Sequence, residues 1–536
     1  MEQIQLQRNA WAQFGGMSVT SILDRWVEIQ ADKTFLIWQP FEGPGRSWTY
    51  GQLAQAAQQF AFGLNQRQVK SGDFVLIHMD NCPEFIIAWL ACAYIGAIPV
   101  TINTRSVAQN VTYFAEVMQP VMAITSELYA PMIHRACSAS LPLVITGNVS
   151  EKLPKDRLIT LFDAIYQQGT LPKIPDIPER DFAVQFTSGT TSRPKPIMWT
   201  NGNALWSGKS MSTNMRLRRE DRTLLFLPLF HANAQITLLS SLWSGGSVVL
   251  QPKFSTSRFW NTVVQHQATW VSAIPFVYKA LKDQAVPAQH PLRFMMGLER
   301  SPEIEKAFGI QTMALWAMTE TLSACIVTDA DQPGPAGTIG RPSPFYQVEI
   351  RREDGSLAGP GEEGRLYIRG ERGLTLFKEY YKHPEITAAA FDASGALDTG
   401  DVVRMDEQGW LFYVTRAKDM LRVGGENVAA LEIENSINST GLVQEYAVVG
   451  QAHSMLGEVP VAFISLNEKG KALEEEAVKA RITQACQQQL ADFKVPKAIH
   501  IIEHFPHSTL DRIAKNKLRE QLPEMVAEQP KKISNK

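Results

Sequence analysis

The chain has almost no excess of either charge: 52 lysines and arginines stand against 54 aspartates and glutamates, a formal charge of −2. No arginine-rich or lysine-rich block interrupts the first 500 residues, so nothing in the charge selects nucleic acid or an anionic membrane as partner. Cysteine is scarce. The five present (Cys82, Cys92, Cys137, Cys325, Cys486) are odd in number, scattered and without paired metal spacing. They exclude a disulfide framework, suit a reducing cytoplasm, and read as buried apolar residues. A membrane-spanning run is missing too. The most apolar stretch, FIIAWLACAYIGAIPV from Phe85 to Val100, falls short of the roughly 20 residues a spanning helix needs, and Gly96 and Pro99 interrupt it. It reads as a buried helix running into a buried strand. The N-terminal MEQIQLQRNAW has neither a basic start nor an apolar core, so no signal peptide is expected and the protein is expected in the cytoplasm. No internal repeat is visible, and the polar end EMVAEQPKKISNK is expected to fray.

What is present is globular texture. The 536 residues are 45% hydrophobic and 20% charged, and a prior of about 150 residues per domain gives two to four domains. Apolar runs (FVLIHM at 74, VMAITS at 121, PLVITG at 142, TLLFLPL at 223, SVVLQP at 247, WVSAIP at 270) alternate with helical spacing such as TYGQLAQAAQQFAFGLNQ from Thr49. That alternation predicts an α/β fold of parallel sheets covered by helices. After Pro342 shorter strands take over (YQVEIRREDGS, GRLYIRG, GWLFYVTR), with a turn at Asp354-Gly355. From about Ala417 a further compact piece follows, with a helix over Val428 to Asn438, a strand over Tyr446 to Gly450 and a helix over Glu474 to Leu490.

Within this texture DFAVQFTSGTTSRPKPIMWT, from Asp181 to Thr200, stands out. Phe182, Val184 and Phe186 alternate as in a strand, Ile197 to Trp199 begin another, and the hydroxyl-rich run between them is a loop. It is not a Walker loop, because Lys195 lies between Pro194 and Pro196. Thr187, Ser188, Thr190, Thr191 and Ser192 offer hydroxyl and backbone donors, Gly189 allows close backbone approach, and Lys195 adds a positive charge. A polyphosphate fits such a loop, and so does a solvated polar turn.

FTSGTTSRPK resembles the signature phosphate loop of the adenylate-forming superfamily, which contains acyl-CoA synthetases, adenylation domains and beetle luciferases. LPLFHANAQ at Leu227, ALWAMTET at Ala314, GTIGRP at Gly337, DTGD at Asp398, TRAKDMLRVGGENVAALEIE at Thr415 and FKVPKAIHIIEHFP at Phe493 follow in that family's order over more than 300 residues. With NCPEF and GGENV, the chain is similar to the bacterial carnitine or crotonobetaine CoA ligases. The resemblance implies a large N-terminal domain of helix-covered, parallel-type sheets plus a small barrel-like β subdomain (1–415), a hinge (416–418) containing Lys418, and a mobile α+β C-terminal domain (419–536). It implies that a carboxylate attacks MgATP to give an acyl-adenylate and that CoA then displaces AMP. An amine or carrier-protein thiol as acceptor, and an adenylate-binding protein without turnover, are the competing readings. A homodimer is left open.

The same resemblance assigns roles. The loop from Thr187 to Lys195 would cradle the β- and γ-phosphates, and Thr319 would bind the α-phosphate and the reacting carboxyl oxygen. Glu320 would hold Mg²⁺, Trp316 would take the place of an adenine-stacking tyrosine, and Asp401 and Arg416 would reach the ribose. His231, with Phe230, would line the gate between acyl and CoA sites, and Gly424, Gly425 and Glu426 would approach the pantetheine arm. Three departures follow. Pro196 replaces a usual glycine, which removes an N–H and stiffens the loop's end. The adenine-side motif keeps only Gly297 in MMGLERSPE, and PHSTLDRIAKNKLR places Arg512 where the family has its adenylation lysine, with Lys515 and Lys517 nearby. Trp199, Trp206, Trp243 and Phe230 lie near the acyl-pocket motifs, where an aromatic cage would suit a quaternary ammonium acid, although such rings also serve as core.

Overall fold

In the computed structural model the described residues are 11–147, 158–187, 194–297, 299–352, 354–416, 420–506, 513 and 515–527. The chain divides into two compact units; the bulk of the first ends at Ala417 and the body of the second is Lys418–Lys536.

The first unit holds two large, mainly parallel sheets of eight and nine strands. In the eight-stranded sheet Phe74–His78 pairs in parallel with Ile98–Thr101 on one side and Met122–Ser126 on the other. A parallel step needs a crossover, and the apolar run mistaken most easily for a membrane segment supplies it. Pro83–Ile95 forms a helix in which every residue except Glu84 is buried, and Gly96 ends it in the left-handed region at φ 70°. Among the described residues no helix is long and apolar enough to cross a membrane. Asp181–Thr187 lies parallel to Ile98–Thr101 and returns antiparallel as Lys195–Thr200, with Thr187 opposite Lys195. The hydroxyl-rich run is thus flanked by two paired strands, the first of which ends, at Thr187, on the carboxyl side of a parallel pair, where open α/β sheets bind ligands.

The nine-stranded sheet runs Ser247–Leu250, Arg222–Leu225, Trp270–Ser272, Phe294–Gly297 and Gln311–Trp316 in parallel. Gly297 and Trp316 are the last residues of their strands. The expected small β subdomain is a four-stranded antiparallel sheet of Gln347–Arg351, Glu363–Arg369, Leu397–Met405 and Leu411–Arg416. Glu363–Arg369 alternates buried and less buried residues, as a strand packed on one face should.

The second unit is built on a five-stranded sheet that includes the long antiparallel pair Val443–His453 and Gly457–Leu466. The helix expected from Val428 starts at Ala430, because Glu426–Ala429 is a strand. The reason is local: Gly424 and Gly425 both have positive φ, 59° and 89°, and a two-residue turn of that kind folds Glu426 back opposite Val423. The helix Lys515–Ala527 also extends into the polar end that was expected to fray.

Candidate functional site

Lys195 opens the strand Lys195–Thr200, and its Nζ lies 4.9 Å from the centre of the Tyr380 ring. Tyr380 is there because Glu379–Tyr380 pairs antiparallel with Ile197 and Met198. Its buried hydroxyl donates to Glu320 Oε1 at 2.8 Å. A tyrosine that sequence reasoning did not single out therefore stands between two expected site residues. Glu320 is 7% exposed, on the short 3₁₀ turn Thr319–Thr321 with Thr319 half-buried beside it. Three long-range hydrogen bonds hold that turn and the residue after it: Phe377 N–H to Glu320 O at 2.9 Å, Tyr346 Oη to Thr321 O at 2.6 Å, and Ser207 Oγ to Leu322 O at 2.8 Å. They fix Leu322 in the left-handed region, φ 66°, which a branched residue seldom enters without support.

Pro196 costs less than its residue type suggests. Its carbonyl accepts from Tyr381 N–H at 2.8 Å, and in a strand the N and O of one residue leave on the same side. The missing N–H therefore faces away from Phe186, its partner in the hairpin, and the ladder with Asp181–Thr187 loses no bond.

Trp316 departs from expectation. It is 1% exposed, so its ring presents no open face to an adenine in this arrangement. Its indole N–H instead donates to Asp401 Oδ2 at 2.9 Å, and Asp401 is itself 1% exposed. The ring edge aims the carboxylate, and Asp401 sits opposite Arg416 in the antiparallel register. Gly297 has a packing reason of its own: a Cβ there would collide with the Tyr278 ring and hydroxyl. Burial pushes the Tyr278 phenol well above its usual range.

His231 precedes the helix Ala232–Ser244 without capping it through its side chain, and its imidazole lies 4.7 Å from the Phe230 ring. The tryptophans considered for a cage are core. Trp199 is wholly buried. Trp206 meets Phe14, Phe345 and Tyr346 edge-on, and its N–H donates to Tyr346 Oη at 3.1 Å. Trp243 stands edge-on to Phe14 at 6.0 Å.

Ser188, Gly189, Thr190, Thr191, Ser192, Lys418 and Arg512 lie outside the described residues. In the second unit Gly424 and Gly425 form the hairpin tip and Glu426 begins its return strand. Lys515 is engaged: its Nζ lies 2.7 Å from Glu434 Oε1, which also accepts from Val448 N–H at 2.7 Å. That buried ion pair argues against Lys515 as a stand-in for the family lysine, since removing it would strand a buried carboxylate. Tyr380, Tyr346 and Ser207 were missed because nothing local marks them. Each acts across a sequence separation of 25 or more residues.

The family model described as AMP-binding enzyme matches residues 23–381, and that of the AMP-binding enzyme C-terminal domain matches 432–511. The chain belongs to this family of adenylate-forming enzymes. It is 35% identical over 521 residues to the crotonobetaine/carnitine–CoA ligase of Salmonella paratyphi A, covering 94% of this chain and 99% of that one. Among solved structures, o-succinylbenzoate CoA synthetase from Bacillus subtilis superposes with a TM-score of 0.80 at 23% identity, over 93% of this chain and 98% of that one. The same enzyme has been solved in complex with ATP and magnesium ion. A fatty acyl CoA synthetase from Mycobacterium tuberculosis gives 0.66 at 25% identity, over 95% and 99%. These matches carry the mixed α/β fold with a large N-terminal domain, a half-barrel β subdomain and a C-terminal domain.

Proposed function

We propose that this acyl-CoA ligase activates a small or medium carboxylic acid in two steps at the site that Lys195, Glu320 and Asp401 define. The substrate carboxylate attacks the α-phosphorus of ATP, giving acyl-adenylate and pyrophosphate. The CoA thiol then attacks the acyl carbon, loses its proton, and releases AMP. The observation that carries this reading is the Lys195–Tyr380–Glu320 cluster at the mouth of the loop hairpin. It sets an ammonium and a carboxylate where a polyphosphate would meet a hydroxyl-rich turn. Two anions must approach each other in the first step, so electrostatic stabilisation of the phosphate oxygens is the main term asked of the protein.

The residues fit a magnesium ion of the kind that arrives with its nucleotide. Glu320 would supply one hard oxygen ligand, and among the described residues no three His, Cys, Asp or Glu gather into a complete protein site. Mg²⁺ is held in this way, by one or two carboxylates plus substrate phosphates; when bound, it offsets phosphate charge. Thr319, beside Glu320, would contact the α-phosphate. Asp401, aimed by Trp316, would accept hydrogen bonds from the ribose hydroxyls, with Arg416 assisting. The loop from Thr187 to Lys195, including Ser188, Gly189, Thr190 and Thr191, would take the terminal phosphates. Arg512 would serve as the adenylation cation, and residues 416–418 as the hinge that exchanges it for Gly424, Gly425 and Glu426 beside the CoA arm.

Carnitine, crotonobetaine, short fatty acids and aryl acids, each supplied with MgATP, test the reading through acid-dependent pyrophosphate release followed by CoA-dependent thioester. Release with none of them would overturn it. Arg512→Ala should slow pyrophosphate release about 100-fold or more while leaving thioester formation from supplied acyl-adenylate intact. Unchanged release would remove Arg512 from the first step.

A further inference from the structure

We infer that three buried amides, Asn81, Gln235 and Gln185, form a positioning device that sets the loop bearing Phe230 and His231 for the thioester-forming step. Leu227 to His231 leaves the end of the strand Arg222–Leu225 and enters the helix Ala232–Ser244. Its backbone is held largely by side chains rather than by a ladder. Asn81 Nδ2 donates to Leu227 O at 3.0 Å and to Gln251 O at 3.1 Å, and Asn81 Oδ1 accepts from Leu229 N–H at 2.8 Å. Gln235 Nε2 donates to Leu229 O at 3.0 Å and to Thr101 Oγ1 at 3.2 Å. Both backbone polar groups of Leu229, two residues before His231, are thus fixed by amides from different elements.

The third amide ties this clamp to the nucleotide side. Gln185 Nε2 donates to Gln235 Oε1 at 2.8 Å, and Gln185 lies two residues before Thr187, where the hydroxyl-rich loop begins. Gln185, Gln235 and Asn81 are 2%, 1% and 4% exposed. Buried polar groups at this depth are costly unless partnered; here Asn81 and Gln235 each use donor and acceptor together, and Gln185 donates to Gln235. An amide is the side chain that can hold a peptide N–H and a carbonyl at once without bringing charge into the interior. Asn81 comes from NCPEF, a motif that the proposed reaction leaves without a role.

The placement predicts a split between the half-reactions, because the clamp touches the His231 loop directly and the phosphate loop only through the backbone of one strand. This rests on the acyl-CoA ligase reading above. Gln235→Met keeps the side-chain volume and removes three hydrogen bonds. Thioester formation from supplied acyl-adenylate and CoA should slow about 10-fold or more, while pyrophosphate release stays within about 2-fold of the parent enzyme. Gln185→Met, which leaves the Asn81 and Gln235 contacts to Leu229 in place, should shift the thioester step in the same direction by less, and the double variant should fall short of the product of the two. Equal loss in both half-reactions, or no loss in either, overturns the inference. If Gln235→Met does not fold, the ratio of half-reaction rates in Gln185→Met decides the matter. A crystal structure of Gln235→Met supplies a readout independent of turnover: the Leu227–His231 loop displaced supports the positioning role, and the loop unmoved refutes it. If the parent enzyme makes no acyl-adenylate from any acid, the functional reading fails by itself and that crystal structure still decides the positioning role.

Discussion

Both units bury carboxylates, but they hold them differently. In the first, Asp401 takes a hydrogen bond from the Trp316 indole and Glu320 takes one from the Tyr380 phenol. In the second, Glu432 receives Lys494 Nζ at 2.7 and 2.9 Å, and Glu434 receives Lys515 Nζ at 2.7 Å. All four carboxylates are under 9% exposed, so burial does not distinguish them. The donors do. An aromatic N–H or O–H orients a carboxylate without adding positive charge, which suits a group that must meet a metal or a ribose. A lysine ammonium cancels the charge it touches, which suits a group that ties one element of a unit to another. Burial alone would have nominated Glu432 and Glu434 as site residues equally well.

The contrast can be broken first in the second unit, where the largest effect is expected. Lys494→Met should cost about 3 to 5 kcal/mol of stability in urea unfolding, because it leaves Glu432 buried and unmatched, whereas adding Glu432→Leu should recover most of that loss. A stable Lys494→Met enzyme with a failed adenylation step would place this pair in the chemistry and erase the distinction. Next comes Glu320→Gln, which keeps an oxygen for Tyr380 and removes the charge. Acid-dependent pyrophosphate release should fall about 100- to 1000-fold with unfolding changed by less than about 0.5 kcal/mol. A loss of stability comparable to that of Lys494→Met would make Glu320 a structural carboxylate after all. The smallest effect sharpens the role of the indole: Trp316→Phe deletes the donor to Asp401 and should raise the KM for ATP about 10-fold with little change in kcat at saturation. A parallel fall in kcat would mean that the ring acts on the reacting atoms rather than on ribose binding.

Much of the fold was legible because its signals are local. Each of the six apolar runs contributes a strand, and the helix after Thr49 starts with a Thr49–Gln52 capping box. The hairpin that carries the hydroxyl-rich loop follows from alternation on both flanks, with Thr187 and Lys195 meeting as register partners. Legibility failed where a long-range contact redefined a residue. Trp316 reads as a stacking surface from its motif and proves to be an enclosed donor to Asp401, 85 positions away. Gly297 reads as a ligand contact, and its packing against Tyr278, where a Cβ would collide, could not be read from its motif. Val428 reads as a helix start until two consecutive glycines turn the chain into a hairpin.

By itself the sequence determined that this is a helix-covered α/β protein with a phosphate-type loop, because strand alternation, helix caps and turn residues act within a few positions of one another. Only tertiary structure decided which buried side chains aim the candidate site and which merely hold a unit together. A hydrogen-bond partner 60 or 85 residues distant leaves no trace in local pattern, and the difference between an orienting phenol and a neutralising lysine exists only once both have been brought to the same carboxylate.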